Sequence, residues 1–380
     1  MKQFLTDIAF YHDTEVPRWI IEQMGELSTG TRFLFNTESE FWRGPETLDD
    51  FINHDEHLAK IACFHVPFPE ETTWMDRVRK VHPHCDHVII FCSELHDPTV
   101  DQLYQLDLPR TTMYLSGFLN VPMKHAEVGV WMDWFMNTTY FYTHEQPNLL
   151  QDKLTPNAPK DHYFDILLGS TRDHRSFVNN WIKEQGFEDK NIMTYFSRIN
   201  QSLKDGDRFI LEDDGVEFIP DREINHSIDP VRYYGFEICL SQIAPISVYN
   251  KTHYSLVTET NFSNRFNFYT EKIVKPIMCG RLFIAICGKD YLRNLKKFGF
   301  ETFNSVIDES YDDEPNQEAR WAMAMEQLRY LHGVDPAYVL RAVEEITQHN
   351  QDLMLKTNWQ DQFVSEIRDL VLSFLPSHTN

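Results

Sequence analysis

An alternation that runs through the chain twice constrains its fold more than any other feature. Short apolar runs at residues 8–12, 32–36, 61–65, 87–92 and 112–116 are separated by helix-like stretches at 17–27, 47–54, 72–81 and 98–106. Apolar strands alternating with amphipathic helices indicate a parallel α/β sheet. Asp97-Pro98 predicts a helix N-cap followed by proline at the first helical position.

A polar segment at 143–162, with Pro147, Pro156 and Pro159, predicts a linker. The alternation then restarts, with strands expected at 163–169, 191–196, 254–258, 282–287 and 303–307. Helices are expected at 176–184, 271–279 and 291–298, with Gly280 and Gly299 at the ends of the last two. Residues 200–235 read as acidic and irregular, and 316–375 as nearly all helical with a break near Gly333 and Pro336. The expectation is two Rossmann-like α/β domains facing a cleft, with long C-terminal helices. Their bounds are 1–145 for the first domain, 146–162 for the linker and 163–345 for the second, and a C-terminal helix at 346–380 packs back on the first domain. That helix carries the stripe Trp359, Phe363, Ile367, Leu370, Val371 and Phe374. Its expected partners are Trp131, Trp134, Phe135, Phe141 and Tyr142.

Charge narrows the range of partners. The chain has 35 basic and 58 acidic side chains, net −23, with 12 basic and 24 acidic in the first 160 of its 380 residues. Neither half is a basic nucleic-acid-binding domain by composition. One island departs from this: residues 265–297 hold eight bases (Arg265, Lys272, Lys275, Arg281, Lys289, Arg293, Lys296, Lys297) against Glu271 and Asp290. That excess predicts one small anionic ligand rather than a long polyanion. No apolar run approaches the roughly 18 residues of a membrane span. Acids interrupt the N-terminal MKQFLTDIAFYHD, so the expected location is the cytoplasm.

The six cysteines form no CxxC pair and sit mostly in apolar runs, as free thiols do. HPHCDH at 82–87 is a potential metal cluster, but it runs straight into a strand, whose alternate side chains face opposite ways. Asp205-Gly206-Asp207 matches Asp-x-Asp but reads as a turn in an acidic loop. No metal and no cofactor are expected. P-loop, G-x-S-x-G and GxGxxG motifs do not occur, so kinase, hydrolase and dehydrogenase chemistry has no local support.

Chemistry concentrates in YSLVTETNFSNRFNFYTEKIVKPIMCGRLFIAICG at 254–288. A strand delivers Glu259 to the sheet edge, a polar loop follows, and Thr270 caps a helix whose first turn holds Glu271 and Lys272. Free N–H groups at such an end attract phosphate. Lys272 adds charge, and a carboxylate such as Glu271 suits sugar or ribose hydroxyls. This run resembles the donor-binding motif of GT-B glycosyltransferases, most closely the alpha-1,3-fucosyltransferase type. The matching elements are Glu259, Tyr269, Thr270, Glu271, Lys272, Gly280 and the strand after it. The same run, with SELHDPT at 93–99 and LLGSTRDHRSF at 167–177, is also similar to glycosyltransferase-like proteins of tailed phages. The resemblance departs from the fucosyltransferases at 261–267, where the spacing is longer.

What the resemblance implies is a nucleotide-sugar co-substrate bound by Arg172, Arg175, Glu259, Arg265, Tyr269, Thr270, Glu271 and Lys272, without a metal. A basic residue after the strand at 163–169 contacts the donor diphosphate in the related families, and guanidinium matches phosphate oxygens well. In the first domain, acids at strand ends offer a general base for an inverting reaction. Glu94 is the first choice and Asp13 the second. The acceptor is a hydroxyl, either of a hydroxymethylated base in phage DNA or of a glycan. A non-catalytic module that binds a glycan or a protein on the same fold is the alternative.

Overall fold

The computed structural model describes residues 8–12, 20, 33–35, 51–53, 59–66, 73–196, 214–220, 222 and 229–374. It divides into two compact units, one of Met1–Asp133 with Asn358–Asn380 and one of Trp134–Thr357.

The first unit is built on a six-stranded parallel sheet. Its strands are β1 (Ile8–His12), β2 (Phe33–Phe35), β3 (Ala59–His65), β4 (His87–Cys92), β5 (Thr111–Leu115) and β6 (Glu127–Val130), in the order β2-β1-β3-β4-β5-β6. All five pairings are parallel. Every residue of β4, HVIIFC, is buried, which is why the strand is apolar throughout rather than alternating. Helix α1 (Thr73–Val81) buries Trp74, Met75, Val78 and Val81 along one face. Helix α2 (Asp97–Gln105) starts one residue earlier than the Asp97 cap predicts. His96 is the N-cap and Asp97 opens the first turn, where its charge favours the helix dipole.

The second unit opens within α3 (Asp133–Tyr140), which is followed by a π-helical turn over Phe141–Glu145. Its sheet consists of β7 (His162–Ser170), β8 (Ile192–Phe196), β12 (Thr252–Thr258) and β13 (Phe283–Ile286), all parallel, in the order β13-β12-β7-β8. From β7 the chain moves outward to β8, then returns across β7 to β12. The topological switch point therefore lies between β7 and β12, and ligands of doubly wound sheets bind at the carboxyl ends beside it. Its helices include α4 (Asp173–Gln185), α5 (Glu271–Met278), α6 (Tyr291–Leu295), α7 (Gln317–His332) and α8 (Pro336–Lys356). Gly186, Gly280 and Gly299, at φ 64°, 64° and 93°, lie at the ends of helical segments, where a left-handed residue is needed.

Three regions differ from expectation. The stretch expected to be irregular contributes β9 (Val216–Glu217) and β10 (Pro230–Tyr233) to a small antiparallel sheet completed just beyond it by β11 (Phe236–Cys239). Val231 and Tyr233 are buried while Arg232 is exposed, the alternation of a half-buried strand, in runs too short to read. The strand expected at 303–307 is a turn closed by Val306 N–H and Ile307 N–H to the Phe303 carbonyl, at 2.9 and 3.0 Å. Phe303 and Ile307 are buried, so their apolar signal reports core position rather than pairing. The segment expected as a linker is tied down within the second unit. Thr155 N–H donates to Asn250 Oδ1 at 2.8 Å, and Lys160 Nζ to the Tyr249 and Thr252 carbonyls at 2.7 and 3.0 Å. The boundary between the units falls at Asp133/Trp134 instead.

Helix α8 stays with the second unit, while α9 (Trp359–Leu372) belongs to the first. Trp359, Phe363, Ile367 and Val371 form its buried stripe. Phe363 stacks on Trp131 at 5.7 Å and meets Tyr114 and Phe91 edge-on at 5.2 and 6.2 Å. Of the other expected partners, Phe135 packs on Tyr269, Phe298 and Phe300, and Phe141 on Tyr233 and Phe236, all within the second unit. Among the described residues no helix is long and apolar enough to cross a membrane.

Candidate functional site

The carboxyl edge of the second sheet gathers most of the expected donor residues. β7 ends at Ser170 and leads through Arg172, the N-cap of α4, to His174 and Arg175 in its first turn. β12 ends at Thr258 and leads to Glu259 and Thr260. Thr270 caps α5, its Oγ1 accepting from Lys272 N–H at 3.3 Å. Three chain segments thus meet beside the switch point.

Glu259 ties them together. It is fully buried, and its carboxylate accepts from Thr270 Oγ1 at 2.7 Å, Tyr291 Oη at 2.8 Å, Thr260 N–H at 3.1 Å and Thr270 N–H at 3.2 Å. Burial pushes this carboxyl above its ordinary range, while Lys272 and the Thr270 and Tyr291 hydroxyls pull the other way. Its backbone carbonyl accepts from His174 Nε2 at 2.8 Å and Arg175 Nη2 at 3.3 Å. Glu259 therefore fixes the loop and the start of α5, and its lone pairs are used inside the protein.

Arg175 is likewise internal. Its guanidinium is buried beneath the end of β12, and burial and Arg172 bring it down to about 10. Tyr269 is buried too. Its hydroxyl donates to the Tyr291 carbonyl at 2.8 Å and its ring lies 4.6 Å from the Tyr291 ring. Both side chains lie inside the second unit and bond its backbone carbonyls. Arg265 is half-buried in the loop, its N–H donating to Ser263 Oγ at 3.3 Å. That loop sits hard against Gly288, where an added β-carbon would run into the Ser263 carbonyl oxygen.

Lys272 remains at the opening. Its Nζ lies 2.7 Å from Glu271 Oε1, 3.2 Å from Thr260 Oγ1 and 3.4 Å from Thr270 Oγ1, with 27% of the lysine side chain exposed. Burial raises the Glu271 carboxyl, and Lys272 and Lys275 together outweigh it and hold the group below its ordinary value. Burial takes Lys275 down to about 8. The helix contains Pro276, which has no N–H to give to the Lys272 carbonyl.

His174 is absent from the sequence expectation. It is fully buried, with Nδ1 lacking a hydrogen-bond partner, and its ring packs 4.8 Å from Phe262. Burial, then Arg175, Arg172 and Lys272, bring it down to about 3, so it is neutral. The cations that act on this one imidazole are those expected at the donor phosphates. The only signal in the sequence is its position between Arg172 and Arg175.

The rest of the basic island disperses. Arg281 is sealed inside, 2.9 Å from Asp165 Oδ1, with further bonds to Ser255 Oγ at 2.9 Å and to the Tyr249, Thr252 and Tyr254 carbonyls at 3.0, 3.0 and 2.8 Å. Lys289 and Arg293 pair with Asp290 at 3.2 and 2.6 Å, and Arg293 also with Asp313. The excess of base in the sequence therefore does not correspond to one patch.

In the first unit, Glu94 follows β4 at the carboxyl edge. Its side chain is 41% exposed, with Oε2 3.1 Å from His96 Nε2. Beside it, His65 Nε2 lies 2.7 Å from Ser93 Oγ. Asp13 and Asp205-Gly206-Asp207 lie outside the described residues. The HPHCDH run spreads apart: His82 Nε2 lies 2.6 Å from the Pro109 carbonyl oxygen and buried His87 bonds Thr112 Oγ1 at 2.9 Å. Burial brings His87 down to about 4 and pushes the Cys85 thiol up to about 12. Among the described residues no three His, Cys, Asp or Glu side chains gather as metal ligands.

The chain matches no family model, no curated protein and no solved structure. The class supported by fold is thus a mixed α/β protein with parallel sheets.

Proposed function

We propose that the protein is a glycosyltransferase of the GT-B kind, moving a sugar from a nucleotide-sugar donor to a hydroxyl acceptor. The observation that carries this reading is the convergence of Arg172, His174, Glu271 and Lys272 beside the switch point of the second sheet, where an α/β sheet takes its ligand. The second unit takes the donor and the first takes the acceptor. When the bond from the sugar's anomeric carbon to the phosphate oxygen breaks, negative charge collects on the departing nucleoside diphosphate. Arg172, Lys272 and the N-terminus of α5 lower the energy of that charge. Glu271, held ionised by two lysines, accepts hydrogen bonds from donor hydroxyls. The acceptor hydroxyl attacks the anomeric carbon, and in an inverting reaction Glu94 receives its proton. The acceptor is a glycan or a hydroxymethylated base of DNA.

Isothermal titration against a panel of nucleoside diphosphates and nucleotide-sugars tests this. One nucleotide should bind, and Lys272→Ala should weaken it at least 10-fold and abolish transfer. If the wild-type protein binds none of the panel, the reading fails.

A further inference from the structure

The small antiparallel sheet of the second unit has a tip that its fold does not require. The turn between β10 and β11 is Tyr234-Gly235, at φ 48° and 85°. Two successive positive φ values are typical of a tight hairpin turn, and asparagine, aspartate or glycine suits the first position without strain. Here that position carries a tyrosine. Tyr234 is 41% exposed, and Phe236, on the other side of Gly235, is 37% exposed.

These two rings are anchored. Tyr234 meets Tyr233 edge-on at 4.8 Å, Tyr233 lies 5.1 Å from Phe141, and Phe141 lies 5.9 Å from Phe236. The inner two, Tyr233 and Phe141, are buried, and the outer two face solvent. The array therefore presents two aromatic rings held by a core, with little rotamer freedom left to lose on binding.

We propose that Tyr234 and Phe236 form a stacking platform for the pyranose rings of a neutral glycan. The faces of aromatic rings are electron-rich and attract the polarised C–H groups on one side of a pyranose. Charge favours this occupant over a nucleic acid. Glu237 next to the platform pairs with Arg222 at 3.1 Å, Arg232 is the one cation within the hairpin, and the whole chain carries −23. A polyanion needs several basic contacts. Two side chains are also far less than the roughly 800 Å² per partner of a stable protein interface. The platform goes beyond the donor reading and needs no nucleotide.

The test is affinity electrophoresis of the full chain through gels containing dextran, laminarin, xylan or galactomannan. At least one polysaccharide should retard the protein. Tyr234→Asn and Phe236→Ala should each weaken that retention at least 10-fold, while Tyr234→Trp retains it. Tyr234→Asn should also leave the urea midpoint unchanged or raised, because asparagine tolerates the positive φ, whereas a purely structural tyrosine would lower it. Nucleoside diphosphate affinity should be unaltered in both weakened variants, and Lys272→Ala should keep the glycan retention. Failure of the donor reading thus leaves this result standing, and the reverse. No retardation in any gel, retention indifferent to both substitutions, or ring-dependent binding of a 20-mer of thymidylate instead would each overturn the proposal.

Discussion

The two ends of the second sheet each hold a basic side chain against a carboxylate, and the pairs do opposite things. Toward the amino end, Arg281 and Asp165 are 5% and 6% exposed, and the guanidinium is surrounded by three carbonyls and two hydroxyls. At the carboxyl end, Lys272 bonds Glu271 at a similar distance but keeps a quarter of its surface in water. Arginine's planar fork of five donors suits a site where every proton has a fixed acceptor. Lysine's ammonium can exchange a neighbouring hydroxyl for a ligand oxygen without leaving a hole. The difference shows that a short ion pair identifies a site only when one partner has somewhere else to go.

Breaking the sealed pair should have the largest effect. Arg281→Met leaves Asp165 buried without its cation and should destabilise the second unit by about 3–5 kcal/mol, read as a lower urea midpoint. A change below ~1 kcal/mol would show that water reaches that end of the sheet. Next comes Gly288→Ala, whose β-carbon would run into the Ser263 backbone. It should cost about 1–3 kcal/mol and weaken nucleotide binding together with stability, since the loop at the carboxyl end must shift.

Acid should act through the open end. The unfolded chain protonates histidine near pH 6.5, whereas folded His174 stays neutral down to about pH 3. Between those values the unfolded state binds more protons, so stability falls as pH falls, by up to ~1.4 kcal/mol per pH unit for this residue. His174→Asn should flatten that limb of a stability–pH curve, and an unchanged slope would place the titration elsewhere. The smallest stability effect belongs to Lys272→Ala, within ~1 kcal/mol, because Lys272 is part-exposed and Lys275 stays to offset the buried Glu271 carboxylate. A larger fall in the urea midpoint would make Lys272 a second Arg281 rather than a ligand group.

These contrasts explain what the sequence could show. Strand runs such as HVIIFC are legible because a strand covered on both faces must be apolar throughout. The capped start of α5 is legible because Thr270 and Lys272 interact over two residues. Arg281 is not legible: its carboxylate is 116 residues away in sequence, and nothing local distinguishes it from Lys272. His174 is hidden for the same reason, as its environment comes from Glu259, 85 residues on. The hairpin at 230–239 is lost because each strand has only four residues, too few to show a period.

Pro276 has a mechanical consequence for the candidate site. A helix transmits force along its ladder of backbone bonds, and this one lacks the rung that would tie the carbonyl of Lys272 to the next turn. The segment bearing Glu271 and Lys272 is thus coupled to the body of α5 through fewer bonds than an unbroken helix would supply. Its position is set instead from the front, where the Thr270 N–H and hydroxyl bond the Glu259 carboxylate, and from beneath, where Ile273, Val274, Ile277 and Met278 are seated in the core.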